Sequence, residues 1–219
     1  LPLDLEPEQV AEVGNECGIA FAFARTFHPA MRFVGPVRAA LGMPCVFNVL
    51  GPLTNPASPK HMAVGCANRA MSPIMAAVYA ANGQTGMVYT SSEGLDEMAP
   101  TGPVSIWEFS NGKVTESEFD PTMELGLDKV TVADLKGGEP ELNAQLFRDF
   151  LAGKDVPFRT TALLNAASAI VADGHQVPAD ASLTERFKAA YAIAEETVDS
   201  GKASALLDQW ITAAQSKKA

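Results

Sequence analysis

The stretch MAVGCANRAMSPIMAAVYAANGQTGMVYT, residues 62–90, decides the fold. Met62-Ala63-Val64-Gly65-Cys66 is a short apolar run of the kind that forms a strand. Pro73 to Ala81 then has the composition of a helix, with proline near the first turn, where its missing N–H costs nothing. Gly86-Met87-Val88-Tyr89-Thr90 is a second apolar run. Strand, helix and strand in that order make a βαβ unit, and its two strands lie parallel because the helix carries the chain back along the sheet. The loop behind the second strand holds Asp96-Glu97.

Further along, Val104 to Phe109 and Lys113 to Phe119 alternate around Asn111-Gly112, a pair that tolerates positive φ and so signals a tight hairpin. From Glu141 onward apolar residues recur at spacings of three and four in Leu142–Leu151, Ala162–Ala172, Leu183–Val198 and Ala203–Ile211, which predicts a helical C-terminal third. On the N-terminal side, Leu5-Glu6-Pro7-Glu8-Gln9 predicts a helix start, ending before Gly14 or Gly18. Ile19 to Ala24 predicts a buried strand. Pro29–Val34 and Pro36–Leu41 predict two short helices that meet at a bend, because Gly35-Pro36 removes a donor and crowds the preceding turn. Gly51-Pro52-Leu53-Thr54-Asn55-Pro56 predicts a specific loop. The expected fold is therefore α/β, a mainly parallel sheet flanked by helices with an added hairpin, in one unit spanning residues 1–219.

With 47% hydrophobic and 19% charged residues, the chain can bury a sizeable core. The net charge of −10 repels phosphate backbones, which excludes nucleic acid as an expected partner. Cys17, Cys45 and Cys66 are odd in number and form no Cys-x-x-Cys pair, so neither a disulfide framework nor a zinc site is expected and a reducing cytoplasm fits. No apolar stretch approaches a membrane span. Leu1-Pro2-Leu3-Asp4 carries no initiator methionine, and the start reads as cut. His61 and His175 lie in polar or proline-rich surroundings and match nothing, so no histidine cluster is expected.

Phe27-His28-Pro29-Ala30-Met31, Val37-Arg38-x-x-Leu41-Gly42, Phe47-Asn48-x-Leu50-Gly51-Pro52-Leu53-Thr54-Asn55-Pro56 and Gly94-Leu95-Asp96-Glu97 occur in this order. With Leu135-Lys136-Gly137-Gly138, Asn143-Ala144 and Leu163-Leu164-Asn165-Ala166-Ala167 they span nearly the whole chain. In these motifs the chain resembles the C-terminal two-thirds of an anthranilate phosphoribosyltransferase. The resemblance implies the C-terminal domain of the nucleoside phosphorylase/phosphoribosyltransferase fold, with hinge helices near residues 29–42. It implies transfer of phosphoribosyl from phosphoribosyl pyrophosphate to the amine of anthranilate, in tryptophan biosynthesis, with Mg²⁺ and as a homodimer when complete. Upstream, that family carries a helical dimerisation domain, a Gly-Thr-Gly-Gly turn, an Asn-x-Ser-Thr segment and a Lys-His-Gly-Asn segment. None of the three motifs occurs in these 219 residues, so a fragment inactive by itself is expected. The family's Ala-Pro-x-x-His-Pro is replaced by Ala24-Arg25-Thr26-Phe27-His28-Pro29, which leaves the shape of the acceptor pocket open.

Adjacent carboxylates after a strand suit Mg²⁺, whose ligands are hard oxygens, and the resemblance assigns that role to Asp96 and Glu97; by spacing alone they read as a solvated acidic loop. Arg38 falls on the family's acceptor-binding arginine, and a guanidinium matches a carboxylate in shape and charge; blind, it is a surface arginine. His28 either lines the acceptor entrance or caps the helix beginning at Pro29. Asn48 and Asn55 are expected to bond to nearby backbone, and Gly137-Gly138 to form a turn. The competing readings are a pyrimidine nucleoside phosphorylase, disfavoured by His28-Pro29-Ala30-Met31 with Arg38, and a non-catalytic remnant or binding module of the same fold.

Overall fold

The computed structural model describes residues 1–178 and 180–218. The chain, expected from its sequence to be one unit, divides into two: Leu1–Ser58 together with the C-terminal helix from Lys202, and Pro59–Gly201.

The first unit is helical. Helix α1 (Pro7–Cys17) starts on a reciprocal cap in which Glu6 and Gln9 bond each other's backbone N–H groups, and it stops at Gly18, whose φ of 75° is left-handed. Short helices follow: α2 (Ala24–Phe27), a 3-10 turn (Pro29–Phe33), α3 (Gly35–Leu41) and α4 (Phe47–Leu53), before α10 (Lys202–Ser216). Leu5, Val13 and Cys17 pack with Ala213 and Ala214, so α1 and α10 bury a shared apolar seam. The two short helices bend at Gly35 as the proline predicts.

Two expectations fail in this unit. Ile19–Phe23 is not a strand, and Phe21 is 51% exposed; no strand lies beside it among the described residues, and extended backbone without a ladder has nowhere to place its N–H and C=O groups except water. Gly51-Pro52 is not a loop but the last turn of α4. Pro52 lacks the N–H that would bond the Asn48 carbonyl, but it stands in the last turn, one residue before the helix ends, so the loss is confined to that turn; the Thr54 hydroxyl closes the end by donating to the Leu50 carbonyl at 2.7 Å.

The second unit is a four-stranded sheet in the order β1 (His61–Gly65), β2 (Thr85–Ser91), β3 (Val104–Ser110), β4 (Lys113–Phe119). β1 and β2 are parallel, whereas β2–β3 and β3–β4 are antiparallel. The sheet is thus mixed, which corrects the expectation of a mainly parallel one. A parallel neighbour needs a crossover helix; only α5 (Ser72–Ala81) supplies one, while residues 92–103 hold no helix and return the chain antiparallel. The turn between β3 and β4 has positive φ at both Asn111 (49°) and Gly112 (74°), with Ser110 paired to Lys113.

Alternation along the strands gives the sheet two apolar faces. Tyr79 of α5 stacks on Phe109 at 5.3 Å on one face. On the other, Met87, Tyr89, Val104, Ile106 and Phe119 pack against Leu164, Ala167 and Val171 of α8 (Arg159–Asp173) and Phe187 and Ala190 of α9 (Leu183–Asp199). Arg186 of α9 grips Glu108 of β3 with two bonds of 2.7 and 2.9 Å, the fork geometry of guanidinium and carboxylate. Helices α6 (Pro121–Glu124) and α7 (Pro140–Leu151) complete the unit.

Candidate functional site

Because β1 and β2 run parallel, both end on the same side of the sheet, at Gly65 and Ser91. Loops beyond the carboxyl ends of parallel strands are where open α/β sheets hold ligands. Hydrogen bonds lock this rim. Thr90 donates its hydroxyl to the Cys66 carbonyl at 2.7 Å and shares a second 2.7 Å bond with Ser72. Ser91 fixes the next turn twice, its Oγ accepting from Leu95 N–H at 3.0 Å and its N–H donating to the Leu95 carbonyl at 3.2 Å.

Asp96 and Glu97 follow at once, both exposed. The loop crosses the end of β1 in backbone contact: a Cβ built on Gly65 would sit 1.5 Å from the Asp96 carbonyl oxygen. Only glycine leaves room for that crossing. On the far side Met98 is fully buried in the core. Asn165 of α8 holds it by both backbone groups, Met98 N–H donating to Oδ1 at 3.0 Å and Nδ2 donating to the Met98 carbonyl at 3.1 Å. The same amide accepts from the Tyr89 hydroxyl at 3.0 Å and donates to the Thr161 carbonyl at 2.7 Å, which uses both donors and both lone pairs.

The two carboxylates are thereby kept side by side. Partial withdrawal from water, and then the like charge of Asp96, push the Glu97 carboxyl above its ordinary pKa. No lysine or arginine forms an ion pair with either among the described residues. An acidic pair held together without a cation, offering only oxygen donors, fits a hard divalent ion such as Mg²⁺.

Arg38 and His28 belong to the other unit. Arg38 lies on α3, exposed, and lines an open depression of about 480 Å³ with Gly35, Ala39, Gly42, Met43, Pro44 and Asn48. No ion pair or hydrogen bond engages its guanidinium among the described residues, so the fork is available to an incoming anion. His28 is half-buried and precedes the 3-10 turn at Pro29, but its side chain makes no capping bond; of its two sequence readings the cap is not realised. Asn48 and Asn55 bond to local backbone, at Cys45 N–H and Ala57 N–H. Gly137-Gly138 is a turn closed by Asn143, which bonds both the N–H and the carbonyl of Gly138 at 2.8 and 2.7 Å.

Sequence reasoning missed the positioning roles of Gly65 and Asn165. Asn165 stands inside a quoted motif, but nothing local says that its amide reaches a backbone 67 positions away. It also missed that His61 and His175 meet, their rings 5.7 Å apart; both are exposed, and the expectation of no histidine cluster is corrected. They converge because α8 packs against the β1–β2 pair and its C-terminal end lies at the start of β1.

No helix among the described residues is long and apolar enough to cross a membrane. The chain is 47% identical over 214 residues to the anthranilate phosphoribosyltransferase of Salinispora arenicola, covering 98% of this chain and 60% of that protein. Among solved structures, the anthranilate phosphoribosyltransferase of Thermus thermophilus superposes with a TM-score of 0.86 at 36% identity, over 98% of this chain and 61% of that one. The Saccharomyces cerevisiae enzyme in complex with PRPP and Mg matches with a TM-score of 0.84 at 26% identity, over 97% of this chain and 59% of that one. The chain thus spans about 60% of the length of the relatives it matches. The model of the glycosyl transferase family a/b domain matches residues 1–204, and the chain belongs to that family.

Proposed function

We propose that residues 1–219 are the C-terminal α/β portion of an anthranilate phosphoribosyltransferase, and that they supply the metal carboxylates and the acceptor-binding side chains of its reaction. The observation that carries this reading is the Asp96-Glu97 pair, fixed at the carboxyl ends of β1 and β2 by Gly65 and Asn165. Support comes from the yeast relative, whose structure holds PRPP and Mg.

In this reaction the anthranilate amine bonds to C1 of the ribose as the C1–pyrophosphate bond breaks, and the amine proton leaves to solvent or phosphate. The protein's work is to position two substrates and answer charge. Mg²⁺ bound by Asp96 and Glu97 would neutralise the departing pyrophosphate. Arg38 pairs with the anthranilate carboxylate, and His28 offers a ring nitrogen to the acceptor. The setting is a reducing cytoplasm, consistent with three free cysteines, and the complete enzyme is a homodimer.

The test is an assay of the 219-residue chain with anthranilate, PRPP and Mg²⁺, alone and with the separately expressed remainder of the Salinispora relative. Turnover is expected only in the mixture, and Asp96→Asn with Glu97→Gln should raise its Mg²⁺ requirement. Turnover by the chain unaided, or a mixture whose Mg²⁺ requirement ignores both substitutions, overturns the reading. A mixture that stays silent while Mg²⁺ and PRPP bind to neither component supports the non-catalytic remnant instead.

A further inference from the structure

His61 opens β1, and Asp173 closes α8, followed by Gly174 in the left-handed region and then His175. Residues more than a hundred positions apart converge there: one potential ligand atom from each of His61, Asp173 and His175 lies within 4.8 Å of the other two. The rings meet edge to face at 5.7 Å and 78°. His175 Nδ1 is 3.1 Å from Asp173 Oδ1, and its backbone N–H donates to Asp173 Oδ2 at 3.4 Å.

Three features make this more than a surface coincidence. The Thr85 hydroxyl bonds Nδ1 of His61 at 2.9 Å, the kind of outer partner that fixes the ring of a ligating histidine and leaves its other nitrogen free. Asp173 stands at the negative end of the α8 dipole with no basic residue in that last turn, so carboxylate and terminal carbonyls together present negative potential that calls for a cation. The side chains of His175 and Asp173 are 75% and 43% exposed, so an ion can enter. The three atoms need only close to about 3.3 Å, the edge of a tetrahedron with bonds near 2.0–2.1 Å.

We infer that His61, Asp173 and His175 form a site for a divalent transition metal, of which Zn²⁺ is the type, with water in the remaining position. Two imidazoles and one carboxylate select borderline ions over Mg²⁺ or Ca²⁺, which take oxygen donors. This site is therefore chemically separate from Asp96-Glu97. Bound metal ties the start of β1 to the end of α8 and stabilises the sheet unit by mass action.

The experiment is a Co²⁺ titration of the untagged 219-residue chain, read by visible absorption, followed by competition with Zn²⁺ and then with excess Mg²⁺. A saturable chromophore is expected that Zn²⁺ removes and Mg²⁺ leaves. His61→Gln and His175→Gln should each weaken Co²⁺ binding by roughly tenfold or more, and Asp96→Asn with Glu97→Gln should leave it unchanged. Because both histidines are exposed, these variants should retain the wild-type circular dichroism. The inference is overturned by absence of the chromophore in the wild-type chain, by histidine variants that bind as well as wild type, or by displacement of Co²⁺ by Mg²⁺. A chromophore that tracks Cys45 rather than the histidines overturns it as well.

Discussion

Replacing Asn165 by leucine keeps the branching of the side chain, at greater bulk, and removes all four of its hydrogen bonds. Thr161's carbonyl loses little, since as a helix residue it keeps the main-chain bond from Asn165 itself. The N–H and C=O of Met98 are the costly losses, because Met98 is fully buried and each unsatisfied group costs about 1–3 kcal/mol. Tyr89 keeps a buried hydroxyl without this acceptor. Allowing for relaxation and water entry, the loss should be about 3 kcal/mol, a large share of a typical domain stability of about 5–15 kcal/mol. Urea unfolding read by Trp107 isolates the effect in a Trp210→Phe background, since Trp107 is a buried residue of β3 and Trp210 belongs to α10 in the other unit. Asn165→Asp sharpens the test. It retains an acceptor for Met98 N–H and Tyr89 but faces two carbonyls with a carboxylate oxygen, so it should be no better than leucine. Amide exchange at Met98 should accelerate by roughly a hundredfold, the equivalent of about 3 kcal/mol. A loss under about 1 kcal/mol, or an unchanged Met98 amide, would refute the role given to Asn165 in holding the acidic loop.

Three more outcomes are expected. Gly65→Ala places a methyl 1.5 Å from the Asp96 carbonyl oxygen, so the loop must shift; a stability loss of about 1–3 kcal/mol should accompany weaker Mg²⁺-dependent PRPP binding in the complemented enzyme, and a variant with wild-type binding would show that the crossing does not set the carboxylates. Arg38→Ala should raise KM for anthranilate roughly tenfold or more with little change for PRPP, measured in the same mixture; equal effects on both would mean that Arg38 organises structure. Asn111→Ala puts alanine at a φ of 49° and should cost about 1–2 kcal/mol by thermal unfolding, whereas Asn111→Gly should be nearly neutral.

The parts legible in the sequence were those set by neighbours along the chain. Proline at the start of α5, the helix stop at Gly18, the Asn111-Gly112 turn and the period of the C-terminal helices are local rules, and each appears where expected. Asp96-Glu97 was legible as a candidate for the same reason, as a motif in a loop after a strand.

Long-range packing decided the rest. The sequence could not say which strands lie side by side, so it missed that β3 returns antiparallel and that Ile19–Phe23 finds no partner. Apolar character specifies burial, whereas a strand also needs a neighbour to accept its hydrogen bonds. Gly65, Asn165 and the His61–Asp173–His175 cluster owe their meaning to contacts between segments far apart in the chain. Pattern along a chain specifies each element's periodicity and ends, but only the docking of α8 on the sheet brings an amide to Met98 and two imidazoles to one carboxylate.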